Sequence, residues 1–280
     1  MSAFNAAWLD LREPVDHRSR NRALTQALAR HFDGWRPLSV VDLGCGTGSN
    51  LRAAAPFLGP EQHWTLVDLD EALLAAASTR LTAWADASDD SHGTLVLFKG
   101  QKRISVEFRR ADLAGDLDAA LGTAAHLVTA AALFDLVSAP FIERFATALA
   151  ARRSAFYTVL TYDGDQRWTP PHPADPAMVE AFHRHQSRDK GFGAAAGPGA
   201  PDHLSESFAH RNYTVQEADS AWRLGPQDAG LIADLAQGFA RAVEETGVID
   251  AGTLASWREV ARTGAVVGHT DTLALPSLRA

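Results

Sequence analysis

Short unbroken apolar runs alternate along this chain with longer stretches in which apolar residues recur at helical spacing. The run LSVVDL, Leu38 to Leu43, is too short for a helix and is closed by glycines, so it predicts a buried strand. A helix is predicted from about Ser49 to Leu58, a second strand at Trp64 to Asp68, and an Ala/Leu-rich helix at Glu71 to Trp84. Strands and helices taking turns in this way predict a parallel sheet covered on both faces. Upstream, Ser2 to about Phe32 reads as helical. Pro14 is expected to split that segment, because proline lacks the N–H that an interior turn needs.

Downstream, Asp86 to Gly93 reads as a polar loop, and Leu95 to Arg109 as two strands joined by a turn near Gly100. A strand at Ala124 to Thr129, a helix at Pro140 to Ala151 and a strand at Ala155 to Thr161 follow. Pro- and Gly-rich pieces at Pro170 to Pro176 and Gly191 to Pro201 bracket a helix carrying AFHRHQSRDK. The tail offers a strand at Tyr213 to Ala218, helices at Ala229 to Glu245 and Leu254 to Arg262, and a last strand at Ala265 to Leu275. No internal repeat interrupts the pattern. One domain is expected over 1–280, with an N-terminal helical cap at 1–36 and a lid-like insertion at 163–201.

Composition narrows the class. The 280 residues are 46% hydrophobic, with a formal net charge of −8, which argues against disorder and against a chain-wide basic surface for nucleic acid or anionic lipid. A single cysteine, Cys45, excludes an intramolecular disulfide and a cysteine-rich metal site. No HExxH, paired CxxC or carboxylate-rich calcium loop is present, so no metal is expected. The N-terminal stretch has no signal-peptide h-region, and no apolar run reaches the ~18 residues needed to span a bilayer. The expectation is a soluble, cytoplasmic protein.

The most informative stretch is Asp42-Leu43-Gly44-Cys45-Gly46-Thr47-Gly48-Ser49-Asn50, where a strand enters three alternating glycines and a helix follows. Glycine lets backbone turn sharply and approach a ligand with no Cβ in the way. The spacing does not fit a dinucleotide loop, because the third glycine of G-x-G-x-x-G falls on Ser49, and no Gly-Lys-Ser/Thr marks a P-loop. A carboxylate at Asp42 suits a cationic ligand better than a pyrophosphate. A plain strand-to-helix turn stands beside the binding reading.

Asp42-x-Gly44-x-Gly46-x-Gly48 resembles motif I of the class I S-adenosylmethionine-dependent methyltransferases. That resemblance implies a Rossmann-like seven-stranded, mostly parallel α/β sheet and S-adenosylmethionine as cofactor. It places Asp42, Gly44, Cys45, Gly46, Gly48 and Asn50 at the methionine part. Asp68, followed by Leu69, ends the second strand, where the family holds the ribose hydroxyls; neighbouring Asp70 is the alternative for that role, although it precedes a helix and reads rather as its N-cap. Asp112 and Leu113 take the adenine position, with helix capping as the competing role for Asp112. Thr129 and Ala130, with Ala131, fall at the cofactor's reactive end. His126, where the family commonly has an acid, and the extra hairpin are departures.

Position ranks the remaining candidates. Asp135 follows the fourth strand as a catalytic candidate, with helix capping as its rival. Tyr162 and Asp163 follow the fifth strand, where an Asp-Gly turn is the plainer account. The stretch His183 to Gly193 packs charge, imidazoles and glycines together. In it His185 is a catalytic candidate, and Gln186, Asp189 and Lys190 are substrate-binding candidates; a solvated helix face capped by Gly191 is the alternative. Arg18 is a candidate partner for the methionine carboxylate, against ordinary surface charge. His126 lies at the wrong end of its strand and reads as structural, and Arg223 is a weaker candidate. The expected reaction is methyl transfer to a small-molecule acceptor. A non-catalytic cofactor-binding protein and a nucleotide-dependent oxidoreductase are the alternatives. Oligomeric state is not readable.

Overall fold

The computed structural model describes residues 5–90, 93–122 and 125–277. The expected element starts at Ser2 and Ala124 lie outside them. Two helices come first, α1 (Ala6–Ser19) and α2 (Arg22–His31). Then follow β1 (Leu38–Leu43), α3 (Ser49–Ala54), β2 (Glu61–Asp68) and α4 (Glu71–Trp84). The middle of the chain forms β3 (Ala87–Asp89), β4 (Leu95–Lys99), β5 (Lys102–Arg110), α5 (Leu117–Leu121), β6 (Leu127–Ala131), α6 (Ala139–Arg152) and β7 (Ala155–Thr169). The rest forms α7 (Asp175–Gln186), α8 (Ala200–Ala209), β8 (Tyr213–Asp219), β9 (Trp222–Leu224), α9 (Ala229–Glu244), α10 (Ala251–Glu259) and β10 (Gly264–Pro276).

All ten strands join one sheet in the order β3-β4-β5-β2-β1-β6-β7-β10-β8, with β9 also paired to β10. From β5 to β7 the pairing is parallel, and β10 runs antiparallel to both β7 and β8. The seven strands from β5 to β8 form the expected mostly parallel sheet, and β3 and β4 extend its edge. Side chains alternate across it. Leu38 and Val40 of β1 join a core with Leu28 of α2, Leu51 of α3 and Leu81 of α4, whereas Val41 and Leu43 join the opposite core with Phe145 of α6 and Phe208 of α8. In α6 the buried set Phe141, Ile142, Phe145 and Leu149 recurs at helical spacing. Each such side chain contributes about 1.5–3 kcal/mol on burial. Chain order reverses between β1 and β6, so a crevice opens beyond the carboxyl ends of these strands, where α/β sheets take ligands.

Four expectations change. Pro14 lies inside α1, and the break comes instead at Asn21, whose side chain accepts from Ala23 N and Leu24 N to start α2. Ion pairs flank the proline: Asp10 with Arg80, Arg12 with Asp16, and Glu13 with Arg52. Packing there outweighs the missing hydrogen bond. The expected loop at 86–93 contains β3, and α5, α8 and β9 add elements that the pattern did not predict. Finally, β7 runs on to Thr169 rather than ending at Thr161, so the insertion expected at 163–201 begins as strand. Its extension alternates, with Gln166 and Trp168 buried and Arg167 and Thr169 exposed.

The partner of that extension is β10, whose register shifts between Val267 and His269. Gly268 sits at this irregularity, and a Cβ there would lie 2.1 Å from Asp163 Oδ1 and 2.8 Å from Asp165 Cβ. Gly268→Ala is therefore expected to destabilise the fold by about 1–3 kcal/mol, the usual cost of overpacking. Urea denaturation checks this, and a midpoint equal to that of the parent would show that the ribbon absorbs the methyl group.

Candidate active site

The glycine loop starts where β1 ends. Gly44, Gly46 and Gly48 have φ of 60, 53 and 76°, the left-handed region that side chains disfavour. Cys45 N donates to Val67 O (3.0 Å) and Gly46 N to Asp68 Oδ2 (2.9 Å), which ties the loop to the end of β2. Asp68 Oδ1 accepts from Asp70 N (3.0 Å), and Asp70 caps α4 by accepting from Ala72 N (2.9 Å). Beneath the loop Asp42 is fully buried. Its Oδ1 accepts from Asn50 Nδ2 (2.5 Å) and Thr129 Oγ1 (2.8 Å), and its Oδ2 has no partner. Burial raises its pKa to about 6. Asn50 Oδ1 accepts in turn from Arg20 Nη2 (2.7 Å), so the N-terminal helices are coupled to the loop.

A cavity of about 380 Å³ opens above these groups. Its walls include Gly44 to Thr47, Asp68, Leu69, Asp112, Leu113 and Ala131 to Leu133, with Leu9, Arg12, Asp16 and Arg20 from the N-terminal segment and Lys190 to Phe192 from the loop after α7. A second cavity, of about 510 Å³, shares Arg12, Ala132 and Leu136 with the first. It is lined by Trp8, Asp135, Tyr162, Gln166, Phe182, Gln186, Trp222, Phe239 and His269 among others. Both volumes fall in or near the range of small-molecule sites.

Asp135 is buried in the loop between β6 and α6. Gly197 N donates to its carbonyl (3.0 Å) and Ala196 N to Val137 O (2.7 Å), which pins the loop from outside. Helix α6 is capped by Ser138 rather than by Asp135, whose carboxyl instead accepts from backbone N–H groups, that of Tyr162 among them. Burial raises the Asp135 pKa to about 6. Burial likewise lowers that of His269 to about 3, so its imidazole is neutral, and its Nδ1 has no partner. Tyr162 Oη lies 3.0 Å from His183 Nε2, and burial pushes the phenol up.

Residues 40–164 match the model of a family described as a methyltransferase domain. Over that stretch the chain is similar to a methyltransferase. Two solved structures share the fold. The cyclopropane-fatty-acyl-phospholipid synthase-like protein of Lactobacillus casei is 14% identical with a TM-score of 0.54, covering 98% of this chain and 94% of its own. The YcgJ protein of Bacillus subtilis is 12% identical with a TM-score of 0.53, covering 92% and 100% respectively. A search of curated protein sequences finds no match. The family match favours methyl transfer over the oxidoreductase alternative. Among the described residues no helix is long and apolar enough to cross a membrane.

Gly44, Cys45, Gly46, Asn50, Asp68, Leu69, Asp112 and Leu113 line the first cavity together. Asp112 is no helix cap: its Oδ1 accepts from Ala114 N, and Asp116 caps α5. Asp42, Gly48 and Thr129 lie behind the wall, and Ala130 is buried in the core, so Ala131 and Ala132 supply the surface expected of Thr129 and Ala130. Thr129 shares its strand face with Ala131 but lies one pleat further into the sheet, against Asp42, and Ala130 points to the other face. Asp135, Tyr162 and Gln186 line the second cavity, while Lys190 faces the first.

Four candidates lie elsewhere. Arg18 points away from both cavities and bonds Asp228 Oδ2 (2.6 Å), because two residues along a helix turn a side chain to another face; Arg20 lines the cavity instead. His185 bonds Glu245 Oε2 (2.9 Å) on the outer face of α7. Asp163 Oδ1 accepts from Asp165 N within the β7 extension. Asp189 Oδ1 accepts from Gly191 N and Gly193 N, so it shapes the loop that carries Lys190 and Phe192 rather than facing a ligand. Helix α7 ends at Gln186, so Gly191 is not its cap. His126 accepts from Ser39 N (3.1 Å) at the amino end of the sheet. Arg12, Asp16, Arg20, Gln166 and His269 line the cavities without having been singled out. The pairing of Arg12 with Asp16 at i,i+4 was the one local signal.

Proposed function

We propose that the two cavities are the cofactor and acceptor halves of one active site, and that the chain transfers a methyl group from S-adenosylmethionine to a small molecule. The observation that carries this reading is the second cavity, which meets the first at Arg12, Ala132 and Leu136 and is lined by a buried acid, Asp135. The acidic balance and an acceptor cavity of about 510 Å³ with five aromatic side chains in its lining favour a small molecule over nucleic acid.

The residues of the first cavity fit the cofactor. The glycine backbone leaves room for the methionine part, and Asp68, with lone pairs beyond those given to Gly46 and Asp70, suits a vicinal diol. Leu69 and Leu113 offer apolar surface to a base, with Asp112 beside them. Arg20, whose Nε is buried without a partner, takes the carboxylate role first considered for Arg18. S-adenosylmethionine supplies an activated methyl group on a sulfonium, so the protein has chiefly to hold the acceptor in line and remove its proton.

Titration calorimetry with S-adenosylhomocysteine, and NAD as control, tests the cofactor assignment. Saturable binding of the first alone supports it, and NAD binding in its place overturns it. Turnover across an acceptor screen then separates an enzyme from a binding protein. Asp68→Ala is expected to weaken S-adenosylhomocysteine binding by about 1–3 kcal/mol, the range for hydrogen bonds to a charged group. Unchanged affinity on calorimetry would remove Asp68 from the ribose site.

A further inference from the structure

We propose that the acceptor is a planar aromatic alcohol, a phenol or a hydroxylated heteroaromatic ring, seated among the aromatic walls of the second cavity. This rests on the cofactor and acceptor assignment above.

Shape comes first. Trp8, Tyr162, Phe182, Trp222 and Phe239 all line the cavity. Neighbouring rings already pack by edge and tilt, with centroids 4.9 Å apart for Phe182 and Phe239 and 6.1 Å for Tyr162 and Phe182. A flat ring gains both area and quadrupole contacts against such walls.

The polar inventory selects the functional group. Three lining side chains carry a buried atom without a hydrogen-bond partner: Trp8 Nε1, Gln186 Oε1 and His269 Nδ1. The indole N–H only donates and the amide oxygen only accepts. A hydroxyl can pair with either kind of atom, whereas an ammonium can only donate and a carboxylate can only accept. An alkyl chain would leave all three unpaired. The charges agree. Arg12 is committed to Asp16 through bonds of 2.8 and 3.2 Å and lies over the Trp222 ring at 4.9 Å. Of the other charged lining residues Asp234 and Arg241 are exposed, while the buried charge-bearing group is the Asp135 carboxyl. An anionic acceptor would face that acid.

The chemistry closes on the same residue. A phenol has a pKa of about 10, so at neutral pH it keeps its proton and needs a base. The O–H proton passes to the Asp135 carboxylate, and an oxygen lone pair forms the O–CH3 bond. The S–CH3 bond breaks with its electron pair going to sulfur. The starting plus and minus charges are both neutralised, and no other reactant is needed.

The test uses the whole chain saturated with S-adenosylhomocysteine and titrated by calorimetry with 2-naphthol, 2-(aminomethyl)naphthalene, 2-naphthoate and 1-decanol. The expected result is that 2-naphthol binds at least tenfold tighter than the other three. Gln186→Leu is expected to weaken 2-naphthol at least fivefold while S-adenosylhomocysteine affinity stays unchanged. Equal or tighter binding of the ammonium, carboxylate or alkyl probe overturns the proposal, as does failure of all four to bind the loaded protein. Failure of S-adenosylhomocysteine itself to bind removes the cofactor reading on which the proposal stands, and this is seen before any acceptor is added.

Discussion

Gly46→Val is expected to reduce affinity for S-adenosylhomocysteine by about a hundredfold or more while the sheet stays folded. Gly46 has a φ of 53°, and a Cβ built there would lie 3.0 Å from Leu9 Cδ1. Holding a β-branched residue in that conformation costs on the order of 1–3 kcal/mol, so the loop moves instead. Movement breaks the Gly46 N to Asp68 Oδ2 bond and disturbs the diol site at the same time. The γ-methyl groups would also occupy space in the cavity that Gly46 lines. The strands that frame the loop are buried independently of it, so far-UV circular dichroism should be unchanged. Calorimetry at parental affinity would show that the ligand does not approach this loop.

The cofactor half of the site was legible because its residues belong to local signals. A buried run, a glycine triplet and the next strand's terminal acid fall within 31 residues, Leu38 to Asp68, and strand alternation brings them to one end of the sheet. The acceptor half was much less so. Its walls come from α1, β7, α7, α9 and β10, so Trp8 and His269 meet across almost the whole chain. No periodicity links residues that far apart. The sequence reading chose Arg18 and not Arg20, and the placement of the two depends on where α1 ends. Asn21's capping bonds set that end, whereas Pro14 was the stronger local signal. Asp163-Gly164 reads as a turn, and a local turn is there: Asp163 Oδ1 accepts from Asp165 N and Gly164 has a φ of 99°, inside a strand that pairs with β10 on either side. His185 and Asp189 lay in the right segment. Both are occupied by contacts, with Glu245 and with the loop backbone, that composition does not reveal.

Asp135→Asn is expected to lower kcat by about 10²–10⁴-fold, the usual contribution of a general base, with S-adenosylhomocysteine affinity unchanged. Asp135 lines the acceptor cavity and not the cofactor cavity, so binding of the cofactor product should not sense the change. The pH profile carries the sharper signature. Burial raises the Asp135 pKa from 3.8 to about 6, offset in part by the Arg12 charge, and only the ionised form accepts a proton. Parental kcat should therefore fall as pH drops through about 6, with the slope of a single proton. The Asn variant should lose that acid limb. Stability moves the other way. Between pH 3.8 and about 6 the folded chain binds a proton that the unfolded chain has released. The stabilisation is therefore present at acid pH and is lost as pH rises through about 6. At pH 8 the charged Asp135 is a cost, and the neutral amide should leave Tm equal to or above that of the parent. A slow variant with unimpaired Tm and no acid limb fits a buried base. A variant with parental kcat and the acid limb intact would move the proton to another group.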